Sequence, residues 1–166
     1  MAPELLGRLD RWLAANRPDY YARLLPDATE TALAAFEARF SLELPQDFRD
    51  LHEWRNGQEA TCSASVYENR MFSSLEEIAA TKELLDDMIG ADFEDPRWWR
   101  RGWIPFLASG GGEHLCVDVT AEDGGQPGQL VKFWHDWDDR SVKYTSLERW
   151  LEAIVRSMEN GTLELS

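Results

Sequence analysis

Apolar residues recur at helical spacing toward both ends of this chain and at strand spacing in between. Leu5, Leu6, Leu9, Trp12 and Leu13 follow Pro3, whose fixed φ suits a first turn, and predict a helix over residues 3–15. Asp27 with Glu30 three places on has capping-box spacing, and Leu33, Phe36 and Phe40 mark one face of a second helix. A third starts at Leu44-Pro45-Gln46-Asp47, turns Phe48 and Leu51 inward and stops at Asn56-Gly57, a pair that tolerates positive φ. Imperfect alternation between Cys62 and Met71 predicts a strand. Ser74 and Glu77 repeat the capping-box spacing ahead of Leu75, Ile78, Leu85 and Ile89, giving a fourth, strongly acidic helix.

The period then changes. Residues 103–107, 114–119 and 129–134 read as strands, the first two separated by Gly110-Gly111-Gly112. Glycine takes positive φ without a Cβ clash, so the chain can reverse there in a tight hairpin. Beyond it Leu115, Val117 and Val119 alternate with His114, Cys116 and Asp118, as in a half-buried strand. The glycines do not have the spacing of a phosphate loop, neither Gly-x-x-x-x-Gly-Lys-Ser/Thr nor Gly-x-Gly-x-x-Gly running into a helix. Gly124, Gly125, Pro127 and Gly128 supply turn chemistry between antiparallel neighbours. Ser146 can cap a last helix with Leu147, Trp150, Leu151, Ile154 and Met158 on one stripe, ended by Asn160-Gly161. With no repeats or linkers, the expectation is a single α+β domain over residues 1–166. Its antiparallel or mixed sheet should have about four to six strands, with helices packed on it.

Composition alters this picture in two places. The two cysteines, Cys62 and Cys116, form no Cys-x-x-Cys pair, and at this length no disulfide or metal staple is needed; they read as free thiols of a reducing compartment. The N-terminus interleaves acids and arginines with leucines, and no apolar run approaches the ~20 residues that span a bilayer, so a cytoplasmic protein without membrane contact is expected. The charge is informative: 31 acids against 17 bases give −14. Such a field repels a phosphate backbone and attracts a basic partner, which argues against direct nucleic-acid binding. Acids gather in Glu76, Glu77, Glu83, Asp86, Asp87, Asp92, Glu94 and Asp95, and again in Asp136, Asp138 and Asp139, with tryptophans beside both groups.

Catalytic chemistry has little to stand on. His114, Cys116 and Asp118 would share one face of a strand, with His135 and Asp136 on the next, so a metal-dependent enzyme can be imagined. Metal sites need convergent ligands with supporting hydrogen bonds, and nothing in the sequence fixes both strands' register. The structural account is a rim histidine, a small core cysteine and an aspartate accepting backbone N–H bonds. There is no Gly-x-Ser-x-Gly elbow, and the three histidines offer few candidates for a base. No cofactor is implied.

The eight tryptophans divide. Trp12, Trp54, Trp103 and Trp150 fall where the pattern turns inward and belong to a core. Trp98, Trp99, Trp134 and Trp137 do not, and one member of each pair is expected to be exposed for a partner, a lid over the sheet being the alternative. The expected binding surface is therefore Trp98, Trp99, Glu113, His114, Trp134, Asp136, Trp137, Asp138 and Asp139. The acidic helix from Leu75 to Met88 is the competing face.

The order of five short blocks carries a resemblance. Leu44-Pro45-Gln46-Asp47-Phe48, Asn56-Gly57, and Trp103-Ile104-Pro105 with the glycines and Cys116-Val117-Asp118 come first. Gly128-Gln129-Leu130-Val131 and Leu147-Glu148-Arg149-Trp150-Leu151 follow. Together they resemble the Smi/Knr-type branch of the SUKH superfamily over roughly residues 25–155, with the first helix an addition. The tryptophan-rich insert around Trp98 and the segment Trp134-His135-Asp136-Trp137 depart from that pattern and are where partner choice would sit. The resemblance implies a non-enzymatic binding domain. Bacterial members look like immunity proteins that neutralise a secreted polymorphic toxin by binding it, and fungal relatives act as regulators of cell-wall synthesis. An immunity protein against a basic toxin is the leading expectation, and an intracellular regulator or scaffold the alternative; fold alone does not choose between them.

Overall fold

The computed structural model describes residues 1–165. Its elements run α1 (Pro3–Asn16), α2 (Pro18–Tyr21), α3 (Glu30–Phe40), α4 (Gln46–Trp54), β1 (Met71–Phe72), α5 (Leu75–Asp87), β2 (Trp103–Ala108), β3 (Glu113–Asp118), β4 (Gln129–Trp134), β5 (Val142–Tyr144) and α6 (Leu147–Asn160). The strands form one antiparallel meander in the order β1-β2-β3-β4-β5. This is the expected α+β domain with helices on a sheet.

Local chemistry sets the boundaries. Ser74 and Glu77 close a reciprocal capping box on α5, and Ser146 Oγ accepts from Arg149 N at the start of α6. Gly161, at φ 70°, ends α6 in a left-handed cap. The cap of α3 is Thr29, whose hydroxyl accepts from Ala32 N at 3.1 Å, rather than Asp27. Between Cys62 and Met71 the expected strand is absent. The chain turns tightly at Glu68 and Asn69, both at positive φ, and only Met71 and Phe72 pair with β2. A short fifth strand at Val142–Tyr144 was not legible in the sequence.

The sheet is buried on both faces, and alternation decides which residue goes where. Ile104, Phe106, Leu107, Leu115, Val117 and Leu130 join α1, α3, α4 and α6 in the main core, with Phe106 meeting Trp150 edge-on at 5.3 Å. A register shift between Pro105 and Leu107 lets Phe106 and Leu107 both enter it. Pro105 has no N–H to give a ladder, and a bulge is where a proline is tolerated inside a sheet. On the opposite face Trp103, Cys116, Val131 and Phe133 are covered by the end of α5 and by the segment carrying Phe93 and Trp99.

Candidate functional site

The second face is closed by a lid held from below by a buried charge. Lys82 on α5 is wholly buried; its ammonium donates to Asp86 Oδ1 at 3.2 Å and to the Arg101 carbonyl. Burial lowers its pKa against the opposing pull of Asp86. Asp86 Oδ1 also accepts from Trp99 Nε1 at 2.8 Å, which seats the Trp99 ring edge-on to Trp103 at 5.4 Å and to Phe133 at 5.1 Å. Trp99 is 1% exposed. It is lid rather than partner surface, because an indole N–H that finds a buried carboxylate can bury its whole ring.

His114 is also inside, 8% exposed, facing Phe133 with ring centroids 6.1 Å apart. Burial, helped by the Arg70 charge, lowers its pKa to about 4. The hairpin tip does not leave it at a rim, because residue 114 points to the lidded face. Cys116 is fully buried on the same face, which pushes its thiol pKa up. Asp118 is engaged by Thr120 N, Ala121 N and Gln129 Nε2, so it builds the turn after β3. Among the described residues no group of three or more His, Cys, Asp and Glu could hold a metal ion.

The outer surface is formed by the loop after β4. Trp134 is 38% and Trp137 59% exposed, and Trp137 N donates to Trp134 O at 3.2 Å, so a turn presents both indoles together. The expectation of one exposed member per pair is thus exceeded here. In the other pair Trp98 is half-buried beside its buried neighbour. His135 Nε2 lies 3.2 Å from Asp136 Oδ1. Asp139 Oδ1 accepts from Ser141 N and Oδ2 from Lys143 Nζ at 3.0 Å; these bonds hold its carboxyl below the usual range. Asp136 and Asp138 are exposed. Glu113, half-buried, pairs through Oε1 with Arg70 at 3.3 Å.

Arg140 is the residue sequence reasoning missed. Its guanidinium donates to the carbonyls of Trp98 at 3.0 Å, Asp139 at 3.1 Å and Trp134 at 3.3 Å, and also to that of Trp137. It also lies 4.7 Å from the ring centroids of both Trp98 and Phe133. One cation therefore ties the tryptophan insert to the aromatic loop, so two segments far apart in sequence form one surface. Beside it a groove of about 500 Å3 is lined by Asp95, Arg97, Trp98, Asp123, Asp138 and Arg140.

The competing face is largely committed to structure. On α5, Asp86 serves the lid, Glu77 the cap and Glu83 pairs with Arg39, leaving Leu84, 64% exposed, as its prominent apolar residue. Of the other tryptophans, Trp103 and Trp150 are buried as expected. Trp12 and Trp54 are half-buried against the core, Trp54 donating to Asp10 Oδ1 at 2.8 Å.

A model of the SMI1 / KNR4 family (SUKH-1) matches residues 27–153. The chain is similar to a Schizosaccharomyces pombe protein named as a cell wall biosynthesis/cell cycle regulator, 25% identical over 178 residues, covering 93% of this chain and 35% of that protein. It is similar to a glucan synthesis regulatory protein of Neurospora crassa, 22% identical over 200 residues, covering 93% of this chain and 38% of that protein. A shorter likeness, 30% over 70 residues, covers 42% of the chain and 12% of a KNR4/SMI1 homolog of Debaryomyces hansenii. The chain thus spans less than two-fifths of the length of each of these relatives. No helix among the described residues is long and apolar enough to cross a membrane.

Proposed function

This chain belongs to the SMI1/KNR4 (SUKH-1) family, and we propose that it is a non-enzymatic protein-binding domain serving as a regulatory or scaffold module of the cell-wall-regulator type. The observation that carries this reading is the likeness over 93% of the chain to two fungal regulators, one of wall biosynthesis and one of glucan synthesis. Binding would run through the aromatic and acidic surface of Trp98, Trp134, Asp136, Trp137 and Asp138, with Glu113 and Asp139 at its margin. Exposed indoles held by a pinned loop lose little freedom on association, and buried aromatic anchors carry much of the energy of protein interfaces.

A second reading, toxin immunity, is favoured by charge: a net −14 with Asp136 and Asp138 displayed beside tryptophans suits the basic cleft of an effector. The two readings separate on phenotype. Loss of a regulator alters wall integrity in isolation, whereas loss of an immunity protein matters only when its one effector is present. The binding surface itself is tested by placing a photo-crosslinking residue at Asp138 or at Leu84 in living cells. A single protein captured from Asp138 and absent from Leu84 is the expected result; capture from Leu84 alone would move the interface to α5.

A further inference from the structure

Of the three glycines at the β2–β3 tip only Gly112 is required by the fold. Its φ is 85°, and a Cβ there would stand 2.8 Å from His135 Nδ1. Gly110 and Gly111 are exposed and have no positive φ. Among the described residues, a Cβ at Gly110 would meet nothing within 4 Å, and one at Gly111 only Ser109 Oγ at 3.8 Å. Alanine would fit both positions and would restrict the unfolded chain, so glycine here lowers stability with no compensating contact among the described residues.

A cleft of about 480 Å3 opens beside this tip, with His135 between them. Met88, Phe93 and Trp98 give it an apolar lining, and Asp92, Glu94 and Asp95 an acidic one. Asp95 is neutralised by Arg97 at 3.0 Å, whereas Asp92 and Glu94 make no ion pair among the described residues. An aromatic and aliphatic floor under unpaired carboxylates fits a side chain that is apolar along its stem and cationic at its end. From the adjoining groove Arg140 already packs its guanidinium on the Trp98 ring.

We propose that this cleft takes a lysine or arginine side chain from an extended segment of a partner protein, whose main chain runs on across the side-chain-free tip at Gly110 and Gly111. The proposal rests on the protein-binding reading above and specifies the partner's chemistry: a basic, locally extended stretch that the net charge of −14 attracts.

The test titrates end-blocked pentapeptides Gly-Ser-X-Ser-Gly, with X arginine, lysine, glutamate or citrulline, into the isotope-labelled full chain and follows its amide and indole resonances. The arginine and lysine peptides should shift the Trp98 indole N–H and the amides of Asp92, Glu94, Gly110 and Gly111; the other two should not. Asp92→Asn with Glu94→Gln should weaken binding about fivefold or more. Gly110→Leu or Gly111→Leu should weaken it too, while Gly110→Ala leaves Tm unchanged or higher. Equal shifts with citrulline, shifts centred elsewhere, no shift with any peptide, or a fall in Tm for Gly110→Ala would overturn the proposal. A cellular partner whose capture needs Trp137 but ignores Asp92, Glu94 and both glycines would refute this inference and leave the proposed function standing.

Discussion

Replacing Gln58 by methionine keeps the length of the side chain and deletes a buried hydrogen-bond hub. Gln58 Oε1 accepts from Tyr20 Oη and from Phe72 N, both at 2.9 Å, and its Nε2 donates to the carbonyls of Cys62 at 2.8 Å and Ala64 at 2.9 Å. The residue is buried and joins α2, β1 and the loop between α4 and β1. Each lost bond costs about 1 kcal/mol net, and a buried group left without a partner costs about 1–3 kcal/mol, so Gln58→Met should destabilise by about 4 kcal/mol or more. That is a large part of the ~5–15 kcal/mol that holds an ordinary domain together. Urea unfolding followed by tryptophan fluorescence measures the change, and hydrogen exchange should rise first across residues 58–72. A loss below about 1 kcal/mol would mean that water or a rearranged loop replaces the hub, and the reasoning would be wrong.

Gly57→Ala should cost about 2–4 kcal/mol, because its φ is 78° and a Cβ would meet Ser74 N at 2.5 Å and Ser73 C at 2.6 Å. Gly161→Ala, at φ 70° with nothing within 4 Å among the described residues, should cost only about 1 kcal/mol in the same denaturation assay. Acid should unfold the protein partly through His52, which is wholly buried with its ring nitrogens facing the carbonyls of Phe48 and Ser73. Burial lowers its pKa from 6.5 to about 4 in the folded chain, so below 6.5 the unfolded chain binds the extra proton. About 3 kcal/mol is therefore lost as pH falls from 6.5 toward 4, and the stability profile of His52→Gln should be flatter over that window. Arg140→Ala should raise hydrogen exchange across residues 134–139 by removing the cation bonded to four carbonyls, while exchange in α1 and α6 stays unchanged.

Most of the fold was legible because its signals are local. The stripes of α1 and α6, the capping box at Ser74 and Glu77 and the alternation of β3 each depend on residues a few places apart. Asp27 and Thr29 both offer a capping oxygen, and only the path of the chain into α3 chose between them. The stretch from Cys62 to Met71 alternates like a strand but is organised by Gln58, whose own place is fixed by Tyr20, 38 positions away, and Phe72, 14 positions away. At the site, one exposed indole was expected between Trp134 and Trp137 and both are exposed, whereas Trp98 and Trp99 are identical neighbours of which one is half-buried and the other buried. Trp99 is decided by Asp86, 13 positions away in sequence, and through it by Lys82. Lys82 shares a face with Ile78 and Leu85, and a lysine four places before an aspartate on an apolar face was the available signal. His114 could not be placed without knowing that a lid covers the second face of the sheet.

The central claim, that this domain acts by binding a protein through its acidic aromatic surface, is tested most directly by association and dissociation rates. The partner is the protein crosslinked at Asp138, measured across a range of salt concentrations against wild type, Asp136→Arg with Asp138→Arg, and Trp137→Ala. Charge reversal should slow association and weaken its salt dependence, and loss of the indole should speed dissociation at a cost of about 2 kcal/mol, with every variant folded. Unchanged rates for all of these variants, together with loss of binding on Leu84→Asp, would contradict the account and make α5 the interface.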